Sequence, residues 1–246
     1  MTENLQLSFD TILAALHSAE LELKGEFVHG YNYTFLVEVR PPGQEPFLAV
    51  YKPQQGEQPL WDFPEETLAH REAAAFLVSQ ALGWELIPPT VYRPDGPFGP
   101  GSLQLFIDHD PEHHYFNFSD HEFQQLRPVV LFDLIANNAD RKGGHLLFDD
   151  QGHLWLIDHG LCFNVEEKLR TVIWDFADEP IPAQLCADLQ TFRQQLRPGS
   201  ELWQALADHL AQDELAALAA RTDRLLPCKH FPFPPDDRRA YPFPPV

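Results

Sequence analysis

Four charged residues, far apart along the chain, have the types that phosphate chemistry uses. Lys52 ends the apolar run FLAVYK, Glu72 lies in PEETLAHREAAAFLVSQALG, Asp140 follows two asparagines in NNADRKGGHLL, and Asp158 closes HLWLID. One aspartate can accept the proton of an attacking hydroxyl while a second holds a divalent cation on phosphate oxygens. A strand lysine steadied by a helix glutamate sets another positive charge on the same phosphates. Each residue alone has an ordinary explanation, such as a solvated strand-end lysine, a helix-surface carboxylate (Glu65 and Glu66 lie close by) or a turn aspartate. It is the four together, in this order, that point to phosphoryl transfer.

The elements that must position them read as follows. Phe9 to Ala19 has helical periodicity behind Ser8, a capping residue. LELKGEFVHG, YTFLVEVR and FLAVYK read as three antiparallel strands, PEETLAHREAAAFLVSQALG as a long helix with glutamates in its first turns and Gly83 at its end, and PPTVYRP and GSLQLFI as two more strands. DHEFQQLRPVVLFDLIANN predicts one buried helix, with Pro128 near its start or at a kink. HLLFDD and HLWLID form a hairpin around Gln-Gly, which brings Asp140 and Asp158 to one edge. AQLCADLQTFRQQL and LWQALADHLAQDELAALAART are helical. This predicts an α+β chain of two lobes. Residues 1–107 form a small sheet with one long helix, 108–226 a mainly helical lobe, and 227–246 a proline-rich tail. The tail aromatics Phe231, Phe233, Tyr241 and Phe243 are expected to pack on the protein's own surface.

Composition narrows the partners. The 246 residues carry a net charge of -20, which repels nucleic-acid backbones and acidic lipid, so neither nucleic acid nor membrane insertion is expected. An apolar content of 44% suits a globular chain. No segment has the apolar length of a bilayer span, and MTENLQLSFD lacks the basic and apolar regions of a signal peptide. Cys162, Cys186 and Cys228 form no CxxC pair and suggest a reducing, cytoplasmic setting.

Strands, lysine, helix glutamate, two strands, helices, aspartate loop, hairpin and second aspartate follow one another in kinase order. The stretches YNYTFLVEV, VYKP, GEQPLWDFPEETLAHREAAAFLVSQALGW, PPTVYR, NNADRKGGHLL, IDHGLCF and EKLRTVIWDF resemble an actinobacterial and chloroflexal family distantly related to phosphatidylinositol 3-/4-kinases. That resemblance implies a two-lobed protein-kinase-like fold and an atypical kinase using ATP with Mg2+ or Mn2+. By similarity, Lys52 would contact the ATP phosphates, Glu72 would orient it, Asp140 would be the catalytic-loop aspartate and Asp158 the metal ligand, with IDHG standing where other kinases have DFG. Backbone N–H groups of Gly30, Tyr31 and Asn32 would cover phosphates, although GEFVHGYNYTF carries only two glycines. The adenine hinge would fall at Leu105, Phe106 and Ile107. Related atypical kinases, the HipA-type toxin kinases among them, place a metal-binding asparagine five positions after the catalytic aspartate; here it is His145. A histidine ligand implies tolerance of manganese and an acid limb in the ordinary histidine range.

The acceptor is not written in the sequence. A protein or small molecule suits the acidic surface better than a lipid, and the oligomeric state is open. Rival readings are a nucleotide-binding pseudokinase, an AMP transferase on the same fold, and a metal-dependent hydrolase built from Asp140, His145, Asp158 and His159. The histidines of DHDPEHHYF resemble metal ligands but lack cysteine partners. Arg141, Lys142, Lys168 and Arg170 could cradle an anion, or pair with Asp149, Asp150, Glu166 and Glu167. Cys162 reads as a buried small residue.

Overall fold

The computed structural model describes residues 8–27 and 32–246. Helix α1 (Phe9–Ser18) is capped as its sequence predicts, with Thr11 N–H donating to the Ser8 side chain. Its buried stripe of Ile12, Ala15 and Leu16 lies on Phe35, Val37, Val39, Ala49, Tyr51, Val91 and Leu103 of a sheet. Arg93, itself buried, donates to the carbonyls of Leu16 and Ala19 and so satisfies the end of that helix with a cation.

The sheet has five antiparallel strands: β1 (Glu20–Glu26), β2 (Phe35–Arg40), β3 (Phe47–Pro53), β4 (Thr90–Gly96) and β5 (Gly99–Leu105), in the order β1-β2-β3-β5-β4. The charged, mostly exposed β1 forms one edge, as edge strands require. Alternation along β3 decides the site: Ala49 and Tyr51 face the α1 core, so Lys52 faces the other way.

Helix α2 (Leu68–Leu82) starts later than its sequence suggests. Glu66 adopts φ 61°, and Pro64 to Thr67 form a turn before the helix, so Glu65 and Glu66 are not first-turn residues. The acid at the N-terminus is Glu57, whose carboxylate accepts from Leu68 N and Ala69 N. Gly83, at φ 71°, ends the helix as predicted. Three successive alanines, Ala73 to Ala75, are buried, which lets α2 lie close to neighbours on more than one side. Its far face belongs to the larger core, with the helices that follow.

The predicted single helix before the site is broken. A short α3 (Asp120–Phe123), a 3-10 turn and α4 (Arg127–Ala136) replace it, because Pro128 sits in the first turn of α4, where its missing N–H costs nothing. Strands β6 (Leu146–Phe148) and β7 (Leu154–Leu156) pair Leu146 with Leu156 across a turn containing Gly152 at φ 76°. Then come α5 (Ala183–Gln195), α6 (Glu201–Ala207) and α7 (Gln212–Leu225); the last two were expected as one helix. The tail lies over the body in extended form. Of its aromatics only Phe231 is buried; Phe233, Tyr241 and Phe243 are exposed, against expectation, since main-chain bonds rather than rings hold much of the segment.

Candidate active site

Asp140 and Asp158 line one cleft of about 430 Å3, with Lys52, Glu72 and His145. Lys52 Nζ donates to Glu72 Oε1 at 2.6 Å and to Asp158 Oδ1 at 3.0 Å. Glu72 is 3% exposed and spends its other oxygen on His159 N–H at 2.9 Å. One carboxylate of α2 therefore fixes both the lysine of β3 and the chain just past Asp158. Asp158 itself adopts φ 62°, a left-handed conformation that costs a non-glycine residue energy and turns its side chain into the cleft.

Electrostatics separate the two aspartates. The Lys52 ammonium holds the Asp158 carboxyl far below its usual range, overcoming burial. Burial pushes the Asp140 carboxyl up, offset in part by Lys142, whose Nζ lies 3.1 Å from Asp140 Oδ2. Asp158 is thus a permanent anion suited to a cation, and Asp140 a carboxylate with more appetite for a proton. Burial works against the Lys52 charge, but Asp158 and Glu72 outweigh it and raise its pKa.

His145 points its Nε2 at Asp158 Oδ2, 3.4 Å away, and its Nδ1 meets Lys142 N–H at 3.4 Å. With Nδ1 accepting, the ring proton belongs on Nε2, toward the carboxylate. Burial lowers its pKa to about 4, so the expected acid limb in the ordinary histidine range moves well below it.

Beneath the cleft lies a second charged network that the sequence did not reveal. Arg141 is fully buried; its Nε donates to both oxygens of Asp133, at 3.2 and 3.1 Å, and its Nη2 donates to Asp133 Oδ1 at 3.0 Å and to His159 Nε2 at 2.8 Å. Its Nη1 reaches Ile157 O at 3.1 Å, and Asn138 Nδ2 adds a bond to Asp133. The network ties the loop carrying Asp140 to the segment carrying Asp158. Arg141 is therefore no phosphate cradle, and His159, 0% exposed, cannot serve a hydrolytic site in the cleft. Lys168 pairs with Asp62 and Glu166. Another residue the sequence does not single out is Arg71, buried beside Glu72, with Nη2 on Glu214 and Nη1 on Cys162 O. Only its place one residue before Glu72 on a helix could have drawn notice.

The remaining expectations divide. Gly30 and Tyr31 lie outside the described residues; Asn32 lines the cleft, its Oδ1 accepting from Gln58 N–H. Leu105, Phe106 and Ile107 do not line it, and the N–H groups of Leu105 and Phe106 are taken by Pro89 and Leu48 carbonyls. His113 pairs with Glu122, and no group of three metal-binding side chains occurs among the described residues. Cys162 is buried, which raises its thiol pKa.

Residues 66–201, more than half the chain, match the family described as phosphatidylinositol 3- and 4-kinase. The chain belongs to that family. Among its curated relatives, Protein Rv2133c of Mycobacterium tuberculosis is 38% identical, over 94% of either chain. Phosphatidylinositol 4-kinase gamma 4 of Oryza sativa subsp. japonica is 28% identical over 48% of this chain and only 25% of its own length. Three solved structures share the fold of this phosphatidylinositol 3- and 4-kinase family member. They are a Fam20 from hydra with sugar (TM-score 0.52, 16% identity, 91% and 88% covered), the golgi casein kinase (0.54, 15%, 92% and 74%), and the proinflammatory kinase CtkA of Helicobacter pylori (0.53, 10%, 88% and 94%). The fold is α+β and protein-kinase-like. No helix among the described residues is long and apolar enough to cross a membrane.

Proposed function

We propose that the protein is an atypical kinase that transfers the γ-phosphoryl group of ATP, with Mg2+ or Mn2+, to a protein or small-molecule acceptor. The observation that carries this reading is Lys52 held between Glu72 and Asp158 in the same cleft as Asp140. Residues 1–107 would cover the nucleotide and 108–226 would carry the catalytic loop, within the narrower actinobacterial and HipA-related grouping.

The side chains fit a divalent ion bound jointly with nucleotide. Asp158 supplies a partly exposed, permanently charged oxygen pair, and hard cations prefer oxygen ligands. The ion would neutralise charge developing on the phosphates. Asp158 would hold it, with His145 the candidate for a second site. Lys52 would exchange its carboxylate contacts in part for phosphate oxygens, with Glu72 keeping its ammonium in place. Asp140 would orient the acceptor hydroxyl and take its proton. Gly30, Tyr31 and Asn32 would lie over the phosphates.

The pseudokinase reading draws on one specific feature: His145 presents a ring proton, not a lone pair, to Asp158. Parallel incubations with γ-labelled and α-labelled ATP separate the cases. Label from the γ-position alone on an acceptor supports the kinase, and label from the α-position supports AMP transfer. Calorimetric binding with no transfer supports the pseudokinase, and no binding with either metal overturns the nucleotide reading.

A further inference from the structure

The tail ends its course at the cleft. Ala240, buried with Leu169 and Trp174, accepts from Thr171 N–H at 3.0 Å and Trp174 Nε1 at 3.2 Å. Pro245 O accepts from Gly143 N–H at 2.8 Å, three residues past Asp140. Val246, the next residue, lines the cleft with Asp140 and Lys142. These bonds read backbone rather than side chain, as a groove for extended polypeptide does. Gly143 has no side chain to carry there: a Cβ would come within 2.9 Å of the Phe116 ring.

The segment suits a removable occupant. Its prolines favour an extended form, so little chain entropy is lost on docking. Between 239 and 246 only Ala240 and Pro242 are buried; Phe243 is 79% and Val246 52% exposed. From Phe231 onward the tail holds no serine or threonine, and its one hydroxyl, Tyr241, does not line the cleft.

Building on the kinase reading, we propose that this groove is the acceptor groove, that the acceptor is an extended polypeptide, and that residues 239–246 fill the groove as a stand-in that brings no hydroxyl into the cleft. An incoming chain takes the Gly143 N–H with a main-chain carbonyl, and its next residue enters the cleft. There its hydroxyl oxygen bonds to the γ-phosphorus and its proton goes to Asp140. The bond from that phosphorus to the bridging oxygen breaks, and ADP leaves with the electron pair.

The test converts the stand-in into an acceptor. The 246-residue chain carrying Val246→Ser is incubated with Mg2+ and ATP, and its tail peptide is read by mass spectrometry. The expected result is a phosphoryl group on the new hydroxyl, at a rate independent of protein concentration and about tenfold or more above that of a Phe233→Ser control, because the groove supplies proximity. Adding Ala240→Asp, which breaks the packing against Trp174, lowers that labelling several-fold. Calorimetry with ATP is run on every variant. ATP bound and γ-label transferred to another acceptor, with position 246 unlabelled, overturns this proposal alone. So does labelling that rises with protein concentration, or transfer to added glycerol or inositol with position 246 untouched. ATP bound with no transfer to anything overturns the kinase reading in favour of the pseudokinase. Wild-type protein that binds no ATP overturns the kinase reading first.

Discussion

Two charged clusters lie within one side chain of each other, and each combines a cation, a carboxylate and a histidine. In the cleft, Lys52, Glu72, Asp158 and His145 stand open on one side, with Asp158's side chain 49% exposed. Behind it, Arg141, Asp133 and His159 are sealed from solvent. In the sealed set the carboxylate is saturated, since Asp133 accepts from Arg141, Asn138 and Thr171; His159 Nδ1 is the one atom there left without a hydrogen-bond partner. The open set has oxygen lone pairs to spare. A charge with every partner already in the protein is scaffold, whereas one whose contacts face an empty volume is available to a ligand. Burial and saturation, not residue type, assign the roles.

The largest effect expected from this contrast is on the open side. Asp140→Ala should lower the proposed transfer by about 10^2–10^4-fold, while the melting temperature stays near that of wild type. Single-turnover transfer beside a thermal melt checks both halves, and a variant that melts early with its residual transfer intact would reverse the assignment. Asp158→Ala should act in another way, weakening calorimetric ATP binding in the presence of magnesium.

On the sealed side the effects exchange. Asp133→Ala leaves Arg141 charged and buried without its carboxylate, so a loss of about 3–5 kcal/mol is expected, or on the order of 10 °C in melting temperature. Urea unfolding measures it. Arg141 and Asp133 lost together should cost less than the sum of the single changes, because the buried charge goes with its partner.

A smaller effect concerns acid. His145 and His209 are both lowered to about 4 by burial, against roughly 6.5 in an unfolded chain. Between those values the unfolded chain binds more protons, so stability rises with pH across that window and is lost as pH falls through it. Melting temperatures from pH 7 down to 4.5 should decline, and His209→Gln should flatten the slope. The smallest effect is on metal choice. His145→Asn should shift a manganese-tolerant activity toward magnesium; identical metal profiles in the two proteins would remove His145 from the ligand set.

Much of this is legible in the sequence. Lys52 could be placed because strand alternation and a following helix leave few geometries, and the hairpin length brings Asp140 and Asp158 together. Arg141 could not, since nothing local distinguishes a buried arginine from a surface one when its partner, Asp133, lies a helix away. The start of α2 departs from the sequence reading because Glu65 and Glu66 have helix-start chemistry, while the acid that serves that helix is Glu57, at the far end of the same loop between β3 and α2. Pro128 split a predicted helix because upstream residues could satisfy shorter-range bonds instead. The course of the tail was not legible, because proline-rich chain bonds through carbonyls that carry no sequence signature.

The cementing of α2 has a consequence for switching. Arg71 on Glu214 and Cys162 O, and Trp84 Nε1 on Asp188, join this helix and its end to neighbours beyond the sheet. An outward α2, with Glu72 pulled from Lys52, would have to strip Arg71 of its buried carboxylate, at about 3–5 kcal/mol. Two-state arithmetic then leaves such a conformer below about 1% of molecules. The lysine–glutamate pair is therefore standing equipment, and an effector that withdrew it would need a correspondingly large differential affinity for the rare state. Control of this protein is better sought at the mouth of the cleft than in its frame.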